Sequence, residues 1–297
     1  MQAVLRISAV LVILIITSIA WSILGTNMGF RTDRAANQLT DDVVELWGRP
    51  LQQSPPSMAL VWEEEEIVEE NFYNQKLERN FIQKKAVKTA REEPLLPTSS
   101  NIQADIRLDP RRRGLMWFAL YDVDFEAQYS FVNHTERSEN AEIRFRFPTE
   151  DGVYDNFKVL VDGQDVAAAI GSGGPLTLIP VTPGQEVRIV VGYRSRGLNS
   201  WSYHPNQGVG VVENLHIGLT TNFKAIDYPP GTLSPTEHQK SNEGWELTWD
   251  FERLVTGAGM GMLMPQRIQP GELAEKLAFS APVSLGLFHH HRGHAHA

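Results

Sequence analysis

The sequence predicts a mainly β protein: an antiparallel β-sandwich held behind an N-terminal transmembrane helix, with a few short helices beside it. Three observations carry this. Strictly alternating apolar and polar residues recur in several short segments after residue 120, the mark of half-buried antiparallel strands. Turn signals rather than helical patterns separate those segments, which argues for a sandwich. Ahead of them, residues 7–24 (ISAVLVILIITSIAWSIL) carry no charge.

A helix over residues 7–24 reaches about 27 Å at 1.5 Å per residue, just enough for a hydrocarbon core of roughly 30 Å. Arg6 precedes it and Trp21 lies near its far end, where an interfacial indole is favoured. A cleaved signal peptide is the rival reading, with residues 9–17 as the apolar stretch and Ser18, Ile19 and Ala20 as the cleavage site. Apolar character continuing through Ile23 and Leu24, and a single Arg ahead of the stretch, favour an uncleaved anchor. Arg6 and the amine lie on one side, Arg31 and Arg34 on the other, so local charge leaves orientation open.

Residues 35–52 mix apolar and polar positions and predict a short helix ending near Gly48 and Pro50. An acidic run (Glu63, Glu64, Glu65, Glu66, Glu69, Glu70) precedes a basic one (Lys76, Arg79, Lys84, Lys85, Lys88, Arg91). That order suits the macrodipole of a helix, on which Tyr73, Leu77 and Phe81 would form a narrow apolar stripe. Such a helix either binds a partner or, as the spacing favours, is a solvated helix packed on the domain. Residues 94–101 (PLLPTSSN) read as a linker.

From Tyr121 the period becomes two. Val123, Phe125, Ala127, Tyr129 and Phe131 alternate with polar neighbours, so they should face the core. The pattern recurs at Ile143, Phe145, Phe147; at Phe157, Val159, Val161; at Val187, Ile189, Val191, Tyr193; and at Trp245, Leu247, Trp249, Phe251, with a weaker run over 217–223. Asp162 and Gly163 between Val161 and Val166 predict a tight hairpin. Residues 271–279 make a short amphipathic helix, and 280–288 (SAPVSLGLF) resemble the first third of a membrane span, too short to cross alone. One continuous helix over 271–288 is expected, with Leu273, Leu277 and Phe279 against the domain or headgroups and the chain unstructured beyond. Its start should lie beside residues 25–31, both ends of the β-domain meeting at one pole. The chain thus divides into an anchor (1–30), a helical and linker region (31–100), the β-sandwich (101–270) and a C-terminal piece (271–297).

Composition bounds the chemistry. With 42% hydrophobic and 21% charged residues the chain is neither disordered nor a many-helix membrane bundle. The net charge of -9 gives no basic footprint for nucleic acid. Absence of cysteine excludes disulfides, thiolate metal sites and Cys nucleophiles. The tail holds His289, His290, His291, His294 and His296, dense enough to bind Ni, Cu or Zn ions in vitro but without the preorganised shell of a native site. Gly257, Ala258, Gly259, Met260 and Gly261 superficially resemble a phosphate loop but lack its Lys and Ser/Thr, and read as a flexible turn. The carboxylate pairs Asp122 with Asp124 and Asp227 with Glu243 lack a visible cleft. His134, His204, His216 and His238 are scattered, and read as surface or capping residues. Arg111, Arg112 and Arg113 could meet anionic lipid headgroups, though three charges beside a turn are more often simply solvated. Asn133, His134 and Thr135 form a glycosylation sequon only in a eukaryotic secretory context.

Several segments together carry a resemblance: LWGRP (46–50), RLDPRRRGLMWFALYDVDFEAQY (107–129), FRFP (145–148), DNFKVLVDG (155–163) and PGELAEKLAFSAPVSLGLF (270–288). They resemble bacterial inner-membrane proteins of the CreD type, also called cell-envelope integrity proteins. The resemblance implies one N-terminal span, a large extracytoplasmic, periplasmic β-rich domain, and a C-terminal cluster of membrane helices that this sequence stops short of. It also implies a link to envelope stress and to colicin or antibiotic tolerance, and it transfers no catalytic residue.

The expectation is therefore a non-enzymatic, membrane-anchored envelope protein whose β-domain binds or braces envelope components. No catalytic, cofactor-binding or metal-ligating residue and no cofactor is assigned. The expected partners are the lipid bilayer and other envelope proteins, with no nucleic acid. The alternatives are a periplasmic enzyme with an unrecognised site, and a metal binder acting through the histidine tail.

Overall fold

The apolar N-terminus and the segment expected as a separate short helix form one helix, α1 (Gln2–Trp47), 46 residues long. Residues 25–47 contain no proline to interrupt it. It stops where expected. Gly48 adopts φ +105°, and its N–H still donates to the Val44 carbonyl at 3.1 Å, a glycine-terminated helix end. A side chain there would also press on the Arg196 carbonyl oxygen, 2.9 Å from a Cβ. The computed structural model describes residues 2–74, 79–166, 169–171, 174–206 and 208–293.

Nineteen strands follow in the described residues. β1 (Leu51–Gln53), β2 (Ser57–Asn74), β3 (Arg79–Leu95), β4 (Pro97–Leu108), β5 (Arg111–Arg113), β6 (Met116–Phe118), β7 (Leu120–Val132), β8 (Glu139–Arg144), β9 (Tyr154–Val161) and β10 (Gln164–Asp165) lead to β11 (Ala169–Gly171) and β12 (Gly174–Val181). Then come β13 (Glu186–Leu198), β14 (Ser200–Tyr203), β15 (Gly210–Thr221), β16 (Thr232–Leu233), β17 (Glu237–Lys240), β18 (Trp245–Thr256) and β19 (Gly259–Leu263), before helix α2 (Pro270–Gly293). The main sheet has eight strands in the order β10-β9-β13-β7-β4-β15-β18-β17. Against its inner face lie a five-stranded sheet, β11-β12-β8-β2-β3, and a four-stranded one, β1-β14-β19-β16. This is the sandwich that the two-residue period demanded.

Strand β7 shows why. Val123, Phe125, Ala127, Tyr129 and Phe131 are buried, while Asp124, Glu126 and Gln128 are exposed. Phe125 stacks on Tyr193 of β13, its direct neighbour in the ladder, at 4.9 Å between ring centroids. The inner faces of the sheets join in one core holding Ile102, Ile106, Val187, Ile189, Ile217, Leu219, Trp201 and Trp249. The expected hairpin at Asp162 and Gly163 is present. Both residues have positive φ (49° and 81°), and Val161 pairs with Gln164, as a two-residue turn matched to strand twist requires. Strand β8 ends at Arg144, so Phe145 enters the core from the loop beyond it and Phe147 stacks on Tyr154 at 4.3 Å.

Four readings need correction. Residues 63–91 are not a helix: β2 and β3 form a long hairpin in which the acidic and basic runs face each other, not follow each other along an axis. Lys84 pairs with Glu69 at 3.1 Å, Lys88 with Glu63 at 3.2 Å and Arg91 with Glu64 at 3.1 Å, the strand analogue of helix ion pairs. Of the expected stripe, Tyr73 lies opposite Asn80 and Phe81 opposite Phe72, and Leu77 lies outside the described residues. The linker reading of 94–101 also fails, because β3 runs to Leu95 and β4 starts at Pro97.

The Gly-rich stretch is no flexible turn. Gly259, Met260, Gly261 and Met262 are a buried strand, β19. A Cβ at Gly259 would meet the His204 ring at 2.7 Å, and one at Gly261 would collide with the Trp201 carbonyl, so glycine here permits close approach. Finally, α2 is continuous as expected but runs past Phe288 to Gly293. Ala278 is buried on its protein-facing side (2% exposed) and the Phe279 ring lies against Gly25 of α1, whereas Leu273 and Leu277 are exposed.

Candidate functional site

The two helices meet the β-domain at one pole. Helix α2 lies antiparallel beside α1: Gly271 meets Thr32, Gly29 meets Glu275 and Gly25 meets Phe279. A Cβ on Gly25 would stand 3.0 Å from the Phe279 ring, and one on Gly29 2.9 Å from the Glu275 carboxylate. Gly25 and Gly29 are four residues apart on one face, the spacing that lets helix backbones approach in a membrane. The apolar length Ser8–Arg34 is long enough to cross a bilayer and almost wholly exposed within the protein. That spacing was present in the sequence and could have been found by asking which small residues lie at i and i+4 at the end of the span.

Past the span, α1 seats on the β-domain. Val43 is fully buried with Phe118, Leu120 and Leu198, and Leu39, Val44, Trp47 and Met116 pack around them. The small hairpin of β5 and β6 lies against this seat. Arg113 bonds Asp42 of α1 at 3.1 Å. Gln269, one residue before α2, clamps the hairpin from the other side: its Oε1 accepts the Trp117 N–H at 2.9 Å and its Nε2 donates to the Trp117 carbonyl at 2.8 Å. The Arg267 guanidinium covers the Trp117 ring at 4.2 Å. Sequence reasoning missed Gln269 and Arg267, because no local pattern links them to Trp117, about 150 residues away.

The carboxylates Asp122 and Asp124 sit on the outer face of the main sheet beside a shallow groove of about 390 Å³. Each is held by an arginine of β13: Arg196 reaches Asp122 with two bonds (2.9 and 3.3 Å), and Arg194 reaches Asp124 at 2.8 Å. Asp105 is bonded by Arg107 at 3.0 Å and by the Thr220 hydroxyl at 2.9 Å. These bonds raise the Arg194 and Arg196 pKa above the usual guanidinium value. The arrangement is a ladder of matched ion pairs, not a carboxylate pair poised for proton transfer. Asp227 and Glu243 occupy different settings. The Asp227 carboxylate accepts the Tyr228 N–H at 2.9 Å, and Glu243 lies in the exposed turn closed by Ser241 and Gly244.

The histidines stay apart. His204 lies beside Gly259 and burial lowers its pKa. His216 faces Asp250 at 3.9 Å, His238 packs near Trp245, and His134 is exposed in a turn. Among the described residues no three His, Asp or Glu gather as a metal cluster. His289, His290 and His291 fall in the last turns of α2, while His294 and His296 lie outside the described residues. Asn133 is buried and fully used by its own turn. Its Oδ1 accepts the Thr135 N–H and hydroxyl at 3.0 and 2.7 Å, and its Nδ2 donates to the Arg137 carbonyl at 2.9 Å. The sequon is therefore a structural Asx turn.

Comparison with known proteins agrees with this picture of a membrane helix on a β-rich domain. No curated protein matches the chain. Among the solved structures that resemble it are two weak likenesses. A candidate nutrient binding protein of Legionella pneumophila subsp. pneumophila str. Philadelphia 1 shares 14% identity at a TM-score of 0.41, over 57% of this chain and 68% of that one. An M1 zinc metallopeptidase mutant of Deinococcus radiodurans shares 11% at 0.36, over 58% of this chain and 42% of that one. The family described as "Inner membrane protein CreD" matches residues 2–169, from the start of α1 through β10 to the beginning of β11. The chain belongs to the CreD family of inner membrane proteins.

Proposed function

We propose that this protein is a non-enzymatic, membrane-anchored envelope protein whose β-domain stands in the periplasm and binds or braces other envelope components. The observation that carries the reading is the unbroken course of α1, from the membrane length Ser8–Arg34 to its buried seat at Val43. A domain joined to its anchor without a flexible linker keeps a fixed height and direction, which suits bracing. Family membership supports the periplasmic side. The ion-paired carboxylates of the Asp122 groove support a structural rather than acid–base role.

The long β2–β3 hairpin supports binding to another protein. Strand β8 pairs only with Ser57 to Val61 of β2, so the outer hairpin is a two-stranded ribbon with Ile67, Val68, Ile82 and Val87 exposed. Isolated two-stranded ribbons are marginal in water, and a partner would stabilise this one.

Two measurements test the reading. The chain has no cysteine, so Val153→Cys at an exposed loop reports orientation by an impermeant maleimide in intact spheroplasts. Labelling is expected, and protection until lysis would place the domain in the cytoplasm. Photo-crosslinkers at Ile67 and Ile82 in living cells should give discrete adducts with envelope proteins. Crosslinks to lipid and water alone would remove the binding role.

A further inference from the structure

We infer that the β5–β6 hairpin, with the segment leading into α2, binds the anionic phosphate headgroups of the same membrane that α1 crosses. The inference rests on α1 being a membrane span. Its location comes first. Gly114 at the hairpin tip meets Leu39, five residues beyond Arg34 and thus roughly 8 Å along the helix axis. Arg113 bonds Asp42, roughly 12 Å beyond Arg34. Arg267 and Ile268 immediately precede α2, whose Gly271 lies at the level of Thr32. The hairpin therefore stands roughly 8–12 Å beyond the end of the span, about a Debye length from the surface, with Arg267 close to the Thr32 level.

Its chemistry comes second. Arg111 is neutralised by Asp109 at 2.9 Å and Arg113 by Asp42 at 3.1 Å. Arg112 and Arg267 enter no ion pair among the described residues. Arg112 stands directly opposite Trp117, whose ring carries the Arg267 guanidinium. Beside these two cations Leu115 and Ile268 are each 74% exposed, aliphatic side chains with nothing to cover them in water. Guanidinium groups match phosphate oxygens bidentately, and an indole with exposed aliphatics is favoured at the headgroup boundary. The acidic residues near this level are Asp33, Asp41, Asp42, Glu45, Asp109, Glu272 and Glu275, of which Asp42 and Asp109 already hold arginines. A free phosphate ion would use the arginines but leave Leu115 and Ile268 exposed; a phospholipid surface uses all four.

The test is a single-cysteine label at Leu115→Cys in the full chain, reconstituted in nanodiscs of phosphatidylcholine with increasing phosphatidylglycerol. Addition of the anionic lipid should shift the probe's emission to the blue and shield it from iodide. Arg112→Gln with Arg267→Gln should move the titration midpoint roughly 25-fold, about fivefold for each charge near a membrane surface. The Lys pair at the same positions should retain most of the response. A probe that stays in water at every composition overturns the inference, as does a response unchanged in the Gln pair. The same response to inorganic phosphate over phosphatidylcholine discs also overturns it, by assigning the site to a free anion. A second label at Ile16→Cys separates the two levels of the argument. A lipid-embedded label at 16 with an aqueous one at 115 removes the headgroup site alone, and an aqueous label at 16 removes the membrane span itself.

Discussion

Replacing Phe125 by alanine tests the sandwich at its centre. Phe125 lies on β7, flanked by Ala104 of β4 and Tyr193 of β13, and is 1% exposed. Moving a phenyl side chain of this kind out of water contributes about 1.5–3 kcal/mol, and its stacking on Tyr193 adds roughly 0.5–1.5. β7 is paired on both sides, so the backbone cannot collapse into the space left, and the cavity term brings the loss to about 3–5 kcal/mol. The assay is urea unfolding of the domain in nanodiscs, followed by tryptophan emission. Gln128→Ala, three residues on and on the outer face, should change stability by no more than about 0.5 kcal/mol. A loss below about 1 kcal/mol for Phe125→Ala, or equal losses for the two, would show the strand inverted and the sandwich wrongly assigned.

Other outcomes follow from the same geometry. Gly25→Leu should force α2 away from α1, measured as faster alkylation of a cysteine placed at the buried Ala278. Gln269→Ala removes two bonds to the Trp117 backbone and should cost about 1–3 kcal/mol in thermal unfolding, since each is worth roughly 0.5–1.5. Arg196→Ala should cost under about 1 kcal/mol and less in high salt, because its pair with Asp122 is partly exposed. His204 has its pKa lowered by burial from the ordinary 6.5. The folded state then binds fewer protons than the unfolded one, so its contribution is present above pH 6.5 and lost as pH falls toward the folded value. Stability measured on His204→Gln should lack that acid slope.

What the sequence disclosed was decided by which strands have a dry face. β7, β13 and β18 each set one face on the core, so their two-residue alternation is written in apolar and polar letters. The outer β2–β3 hairpin has water on both faces, so alternation is erased, and its blocks of like charge fit a helix dipole as well as a cross-strand ladder. Helix α2 misled in the opposite sense. Its Leu273 and Leu277 side chains point outward, as lipid contact favours, while Ala278 is buried and the Phe279 ring packs on Gly25 of α1, so bulk alone does not mark the packed face. The charged cluster at Asp122 was legible as a carboxylate pair but not as neutralised, since its arginines come from a strand some 70 residues later. The pole where helices and hairpin meet is built from residues 25–47, 111–118 and 267–279, three stretches with no sequence proximity.

An α-helix of 46 residues is about 69 Å long, and Gly48 turns the chain only after that length is complete. A helix that crosses a bilayer adjusts its tilt to the thickness of the hydrocarbon. With no hinge between membrane and domain, that tilt becomes the pointing angle of everything attached beyond Trp47. A change of about 10° displaces a point some 40 Å above the surface by roughly 7 Å, more than a full helical turn. The protein is thus geometrically a lever with its fulcrum in the lipid, and lateral tension or thinning of the inner membrane would be read out as sideways travel of the β-domain.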